Sequence, residues 1–215
     1  MKAQWIILIV VGLVLVIGML AFFAFKKGPD LSSYLPLKEP RIAARAKERV
    51  LEVNFSGPAD TVIKKAYDVL FKAYFGLKGS PKGPAMKPPK ARYQIPAAKD
   101  PAAEKKLDEF LAHDWTGSVA IPIPEGIEVP AGKPDPSGMA AHAATWEYGE
   151  VAEILHLGTY ETEPPTIERL QEYIAAQGYR AIGDHEEEYL KGPGMMMVAP
   201  KDYWTIIRYR VEKAK

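Results

Sequence analysis

Cysteine is absent from the 215 residues, which removes disulfides, thiolate nucleophiles, thiolate-bound zinc and iron–sulfur ligation together. Net charge is nearly absent too. With 28 basic against 27 acidic residues the chain carries +1, so its overall field gives no reason to expect nucleic acid as a partner. The four histidines, His113, His142, His156 and His185, show neither His-x-x-x-His nor His-Glu-x-x-His spacing, so no metal site is expected from them. Gly-x-Ser-x-Gly, P-loop and dinucleotide fingerprints are missing as well. Classical nucleophilic and nucleotide chemistry are therefore unsupported. What remains is 47% hydrophobic and 26% charged, a globular composition for one domain with an appendage.

The appendage is the one long apolar run. From Trp5 to Phe25 the chain has 21 residues without a charge. As a helix this run would span roughly 31 Å at ~1.5 Å per residue, enough for the hydrocarbon core of a bilayer. It is longer than the usual apolar part of a signal peptide, and no small-x-small cleavage site precedes Lys26 and Lys27. A single transmembrane anchor over residues 1–27 is expected, contacting the membrane through residues 5–25. Lys26, Lys27, Lys38, Arg41 and Arg45 follow the span and only Lys2 precedes it, a bias that favours a cytoplasmic C-terminal domain. Residues 28–48 read as a tether, with Arg41–Glu48 short, charged and helical, and folding begins near Arg49.

Beyond that point one pattern occurs twice. Arg49–Phe55 alternates as a half-buried strand and leads through Ser56, Gly57 and Pro58 into a helix from about Ala59 to Phe75. Its apolar stripe is Val62, Ala66, Val69 and Ala73, flanked by Ile63, Leu70 and Tyr74. Gly76–Lys90 reads as a mobile basic surface loop, Ala91–Ile95 as a strand, Ala102–Ala112 as a helix and Ser118–Ile123 as a strand. Glu125–Ala144, rich in Gly, Pro and Ala, reads as the connection between halves. The second half has a strand at Glu150–His156 and a helix opened by Pro164 and Pro165 that carries Ile167, Leu170 and Ile174. Strands at His185–Leu190 and Tyr203–Val211 follow.

Three stretches of this second half carry a resemblance. Tyr148–Glu161 (YGEVAEILHLGTYE) resembles a strand ending in a His-x-Gly-Pro-Tyr signature, with His156, Gly158 and Tyr160 in place and Thr159 where Pro is usual. Gly183–Leu190 (GDHEEEYL) resembles a Glu-x-Tyr-Leu strand through Glu187, Tyr189 and Leu190, although Lys191, Gly192 and Pro193 replace the usual Asp-Pro. Lys201–Glu212 (KDYWTIIRYRVE) matches a closing strand. In this order they resemble the GyrI-like family, which is related to the effector-binding domains of AraC-type and MerR-type regulators and more distantly to SOUL haem-binding proteins.

With a looser match over Arg49–Pro124, the resemblance covers all but the anchor and tether. It implies an α+β fold of two pseudo-symmetric strand–helix–strand–strand repeats, at about residues 49–124 and 146–215 of a domain spanning 49–215. It also implies a ligand cleft between the repeats. In the regulator relatives a glutamate lies at the bottom of an aromatic pocket and meets cationic or amphipathic ligands, and Glu187 is the matching position here. Strand alternation by itself puts Glu187 on one face with His185 and Tyr189, and Glu186 and Glu188 on the other. A desolvated carboxylate there would serve as counter-ion to a cation or as general acid or base.

Tyr160, Tyr203 and Tyr93 are the aromatic candidates beside it, since aromatic faces attract cations and phenol hydroxyls fix orientation. Met195, Met196 and Met197 could form an adaptable apolar rim, and the SOUL relationship would make His156 a haem ligand, although no cofactor is expected. Three functions compete. The first is a membrane-anchored binding module for amphipathic or cationic small molecules. The second is a GyrI-like hydrolase of electrophilic small molecules, with Glu187 and Tyr160 as catalytic residues. The third is a protein-binding adaptor.

Overall fold

The computed structural model describes residues 30–94, 114–192 and 198–214, and within it Tyr34–Lys215 form one compact unit. The anchor expected over residues 5–25, the helix expected at Ala102–Ala112 and Met195–Met197 lie outside the described residues. Among the described residues no helix is long and apolar enough to cross a membrane.

Among the described residues the unit has eight strands and two α-helices. In chain order they are β1 (Arg41–Arg45), β2 (Glu48–Pro58), α1 (Ala59–Gly76), β3 (Lys90–Tyr93), β4 (Asp114–Pro122), β5 (Ala141–Trp146), β6 (Gly149–Leu157), α2 (Pro164–Ala176), β7 (Tyr179–Lys191) and β8 (Trp204–Lys213). All the strands join one antiparallel sheet in the order β1-β6-β8-β7-β3-β4-β2-β5. Strand, helix, strand, strand runs from β2 to β4 and again from β6 to β8, and the inner strands β3 and β7 pair where the two sets meet.

Both helices lie on the same face of this sheet. On α1 the buried positions are Ala59, Val62, Ala66, Leu70 and Tyr74, a stripe displaced slightly from the expected one, because Val69 and Ala73 stay half-buried. This stripe packs on Leu51, Val53 and Phe55 of β2 and on Val119 and Ile121 of β4. A fully buried leucine such as Leu70 contributes about 1.5–3 kcal/mol. On α2, Leu170 and Ile174 pack on Ala152, Ile154, Ile207 and Val211.

Two connections bend the sheet back on itself. Ala46 and Lys47 alone link β1 to β2, and Glu147 and Tyr148 alone link β5 to β6, yet each pair of strands is six places apart in the sheet order. In a flat sheet six places would separate them by roughly 29 Å at ~4.8 Å per strand, whereas such a link spans at most about 11 Å. The face opposite the helices is therefore enclosed, and Val50 of β2 and Ala120 of β4 pack there with Tyr148 of the β5–β6 link and Val151 of β6.

Four expectations need correction. Arg41–Arg45, expected to be helical within a tether, is strand β1, because its arginines lie beside the buried Glu153 of β6: Arg41 Nε donates to Glu153 Oε1 at 3.0 Å. Ala141–Ala144, read as part of the connection, begins β5. Strand β7 starts at Tyr179 rather than His185, and Gly183 (φ 79°) lies at an irregularity where three of its residues face one position of β8. The loop after α1 is tied down: Ser80 Oγ donates to Tyr74 O at 2.9 Å and Lys82 Nζ to the same carbonyl at 2.8 Å, satisfying the helix's C-terminal end.

Candidate functional site

Period-two alternation along β7 divides its acidic run between the two faces. His185, Glu187 and Tyr189 face the helices, while Glu186 and Glu188 face the enclosed side. All three glutamates are buried, although a run of acids would ordinarily be solvated.

On the helix face Glu187 is the centre of a hydrogen-bonded chain. Tyr189 donates its hydroxyl to Glu187 Oε2 at 2.5 Å, which leaves Tyr93 to donate to Tyr189 at 2.7 Å. His185 Nε2 lies 2.9 Å from Glu187 Oε1 and donates to it, and its Nδ1 lies 2.7 Å from the Tyr209 hydroxyl. Aromatic rings enclose this chain. Tyr67 of α1 stands 6.2 Å from Tyr189, Tyr160 stands 6.0 Å from it, and Tyr203 lies 5.7 Å from Tyr160. Tyr93 in turn meets Trp115 edge-on at 5.2 Å. Glu187, Tyr160, Tyr203 and Tyr93, picked from the sequence, thus belong to one contiguous cluster at the β3–β7 junction.

A second acid completes the site. Glu163 precedes Pro164 and Pro165, which start α2, and its side chain makes no hydrogen bond that would cap the helix. The residue is only 5% exposed, and its carboxyl is pushed up to about 10 by burial first and then by the charge of Glu187. Burial, reinforced by the charge of Glu187, likewise raises the phenols of Tyr67, Tyr93, Tyr189 and Tyr160, so all four are protonated donors. Among the described residues no Lys or Arg forms an ion pair with Glu163 or Glu187. Two buried oxygens of this face, Glu163 Oε1 and Thr205 Oγ1, have no hydrogen-bond partner, and Thr205 stands directly across from both Tyr189 and His156.

His156 is used structurally. Its Nδ1 lies 2.9 Å from Thr166 Oγ1 and its Nε2 3.0 Å from the carbonyl of Thr159, and burial lowers its pKa. With both ring nitrogens occupied it offers no ligand to a haem. No group of three His, Asp or Glu among the described residues is arranged to hold a metal.

The enclosed face has the opposite character. Arg208, 1% exposed, donates from Nε to Glu153 at 3.0 Å, from Nη1 to Glu186 at 2.5 Å and from Nη2 to Glu188 at 3.1 Å. Lys90, read from the sequence as the end of a surface loop, is equally buried and donates to Glu48 at 2.5 Å. The Arg92 guanidinium stacks 3.9 Å from the Trp146 ring and pairs with Glu186 at 2.9 Å. Glu153, Glu186 and Glu188 each pair with Arg208 here, whereas among the described residues no Lys or Arg pairs with Glu187, whose partner is His185, or with Glu163. A cavity of about 60 Å³ lies on this side beside Arg92, Tyr148 and Arg210, and another of about 510 Å³ opens beside His156, Thr162, Thr166 and Arg169. Neither is lined by Glu187, which is walled in by its tyrosines.

No family model and no curated protein matches the chain. Solved structures do resemble it. A hydrolase from Listeria innocua is 18% identical with a TM-score of 0.62, over 85% of this chain and 96% of its own. An uncharacterized conserved protein from Listeria innocua is also 18% identical, with a TM-score of 0.61 over 85% and 97%. The C-terminal domain of EcmrR is 13% identical with a TM-score of 0.56, over 82% and 98%. At these identities the likeness is one of fold, a mixed α/β domain on an antiparallel eight-stranded sheet.

Proposed function

We propose that the cluster around Glu187 binds a small molecule that carries a positive charge on an apolar body. One observation carries this reading: two carboxyl groups, Glu187 and Glu163, are buried among tyrosine rings with no Lys or Arg paired to either among the described residues. Buried carboxylates ordinarily have a fixed cation, as Glu153, Glu186 and Glu188 do on the opposite face. Tyr160, Tyr189 and Tyr93 offer aromatic rings to a cation and Glu187 offers its charge. The GyrI-like resemblance supports the same assignment, and the matching element orders of β2–β4 and β6–β8 support reading the domain as two pseudo-symmetric repeats with the site between them. The anchoring of this module through residues 5–25 rests on the length of the apolar run.

The test is titration calorimetry of the full chain with a dye bearing a quaternary ammonium. Glu187→Gln keeps the size of the side chain but removes its charge, and should weaken binding by about 1–3 kcal/mol, roughly five- to a hundredfold. Glu186→Gln and Glu188→Gln should change it far less. Equal affinities in all three variants would sink the assignment.

The carboxyl pair also favours a second reading, hydrolysis of an electrophilic small molecule. Glu163 could donate a proton to the departing oxygen while Glu187 takes one from the attacking water. Tyr160 would orient the substrate. One of the structures of like fold is described as a hydrolase. Mass spectrometry of an incubated ligand separates the two readings, because binding returns it unchanged and hydrolysis adds a water.

A further inference from the structure

The enclosed face holds arginine donors that its glutamates do not use up. Each of the three Arg208 nitrogens donates to a glutamate. Arg92 donates Nε to Glu186 at 2.9 Å, but its buried Nη2 has no partner among the described residues. Arg210, an exposed side chain, spends only Nε there, on the Tyr148 carbonyl at 3.1 Å. Both Glu186 oxygens are already engaged: Oε1 accepts from Arg208 and from the Tyr148 hydroxyl, and Oε2 accepts from Arg92. A buried guanidinium N–H left without an acceptor is costly, so its vacancy calls for one.

The cavity of about 60 Å³ lies among these groups, lined by Arg92, Arg208, Arg210, Tyr148, Asp184 and Glu186. It occurs where β7 bulges at Gly183 and its close pairing with β8 is interrupted. Its three arginines outnumber its two acids by one charge. Every side chain joined to them by ion pairs adds Arg41, Arg45 and Lys90 against Glu48, Glu153 and Glu188, and the excess stays at one. Glu52, which accepts from the Trp146 ring nitrogen, has His142 at 3.4 Å. At ~10–15 Å³ for each atom the size of a water, the cavity admits roughly four or five non-hydrogen atoms.

We propose that this cavity binds a small monovalent oxyanion of the formate, nitrate or bicarbonate kind, held by Arg92 Nη2 and the Nη groups of Arg210. A planar oxyanion presents two oxygens along one edge, the arrangement that a guanidinium fork meets. Its single negative charge cancels the single excess positive charge, and its few atoms match the space. Asp184, half-exposed, lines the same cavity and opposes the anion by its own charge. Arg92 belongs to β3, Asp184 to β7 and Arg210 to β8, so the anion would tie three strands together at the bulge. This site is on the face opposite Glu187 and does not rest on the cation-binding reading.

The experiment is thermal unfolding of the full chain at neutral pH in potassium formate, against potassium chloride of the same ionic strength. Formate should raise the midpoint saturably, by about 3–6 °C at about ten times its dissociation constant. Isotope-labelled formate should show NMR line broadening with the protein that added nitrate reverses. Arg210→Gln, a change at an exposed side chain, should abolish the gain, and Asp184→Asn should reach it at a several-fold lower formate concentration. Benzoate, the same carboxylate on a body too large for the cavity, should give no gain. Equal midpoints in the two salts with sharp formate lines would mean that the cavity takes water only, and would overturn the proposal. A gain that rises without saturation, or that persists in Arg210→Gln, would be a general salt effect and would overturn it as well. Benzoate as effective as formate would put the anion outside the cavity and overturn the assignment to it.

Discussion

Replacing Glu163 by Gln should stabilise the protein at neutral pH, although it alters a buried side chain. At pH 7 an ordinary glutamate, with a pKa of 4.5, has lost its proton, whereas Glu163, pushed up to about 10, keeps it. Between those two values the folded state binds a proton that the unfolded state has released, so stability falls as the pH rises through this window. The loss is about 1.4 kcal/mol per pH unit, or roughly 3 kcal/mol accumulated by pH 7. Glutamine resembles the protonated acid at every pH and carries no such loss. Glu163 makes no side-chain capping bond to α2, so the substitution forfeits none. Urea denaturation of both proteins at several pH values is the assay. For a domain of this size the slope is about 2 kcal/mol per molar, so the variant's midpoint at pH 7 should lie roughly 1.5 M higher. The gap should widen above pH 7 and close below about pH 4.5. A variant less stable than wild type, or a gap that does not vary with pH, would refute the reasoning that burial keeps Glu163 protonated.

Arg208→Met should cost about 3–5 kcal/mol in denaturant unfolding, because Glu153, Glu186 and Glu188 would be left buried without it. Burial opposes the charge on Glu153 and Glu186, but Arg208 together with Arg45 at the first and Arg92 at the second outweighs it and holds both carboxyls below the ordinary range. Their stabilisation is therefore present above about pH 4 and lost as the pH falls through the depressed values, and in Arg208→Met this acid-dependent loss should shrink. Deleting residues 1–28 should give a folded protein that remains soluble, since the only membrane-length apolar run lies there. Retention of the truncated chain on membranes after a carbonate wash would rule the anchor assignment out.

Alternation made the faces of β7 legible, because a two-residue period needs no knowledge of the partner strands. Helix α2 was equally legible from Pro164, Pro165 and its stripe of Ile167, Leu170 and Ile174. Residues whose role depends on distant partners were not. Arg41 and Arg45 look like surface charges until Glu153, more than a hundred positions later, is brought beside them. Lys90 ends a stretch rich in Gly, Pro and Lys, and only Glu48 and Glu188 make it an interior residue. Strand β5 is hidden because Ala141, Ala143 and Ala144 carry too little hydrophobic contrast against His142 for a period to show. Glu163 resembles any acid before the first turn of a helix. Its one local signal is that it lies three residues after Tyr160 and directly before two prolines.

The pairing of β1 with β6 also sets a timetable for synthesis. Arg41 must wait for Glu153, 112 residues later, to be made. At about 5–20 residues per second the ribosome needs on the order of ten seconds to supply it. Through that interval β1 is a nascent strand with no partner, the kind of segment that seeks other chains. Its two arginines make it a poor template for such encounters, since charged residues in an unpaired strand oppose association with further strands. The same two side chains that later neutralise a buried glutamate thus guard the growing polypeptide before that glutamate exists.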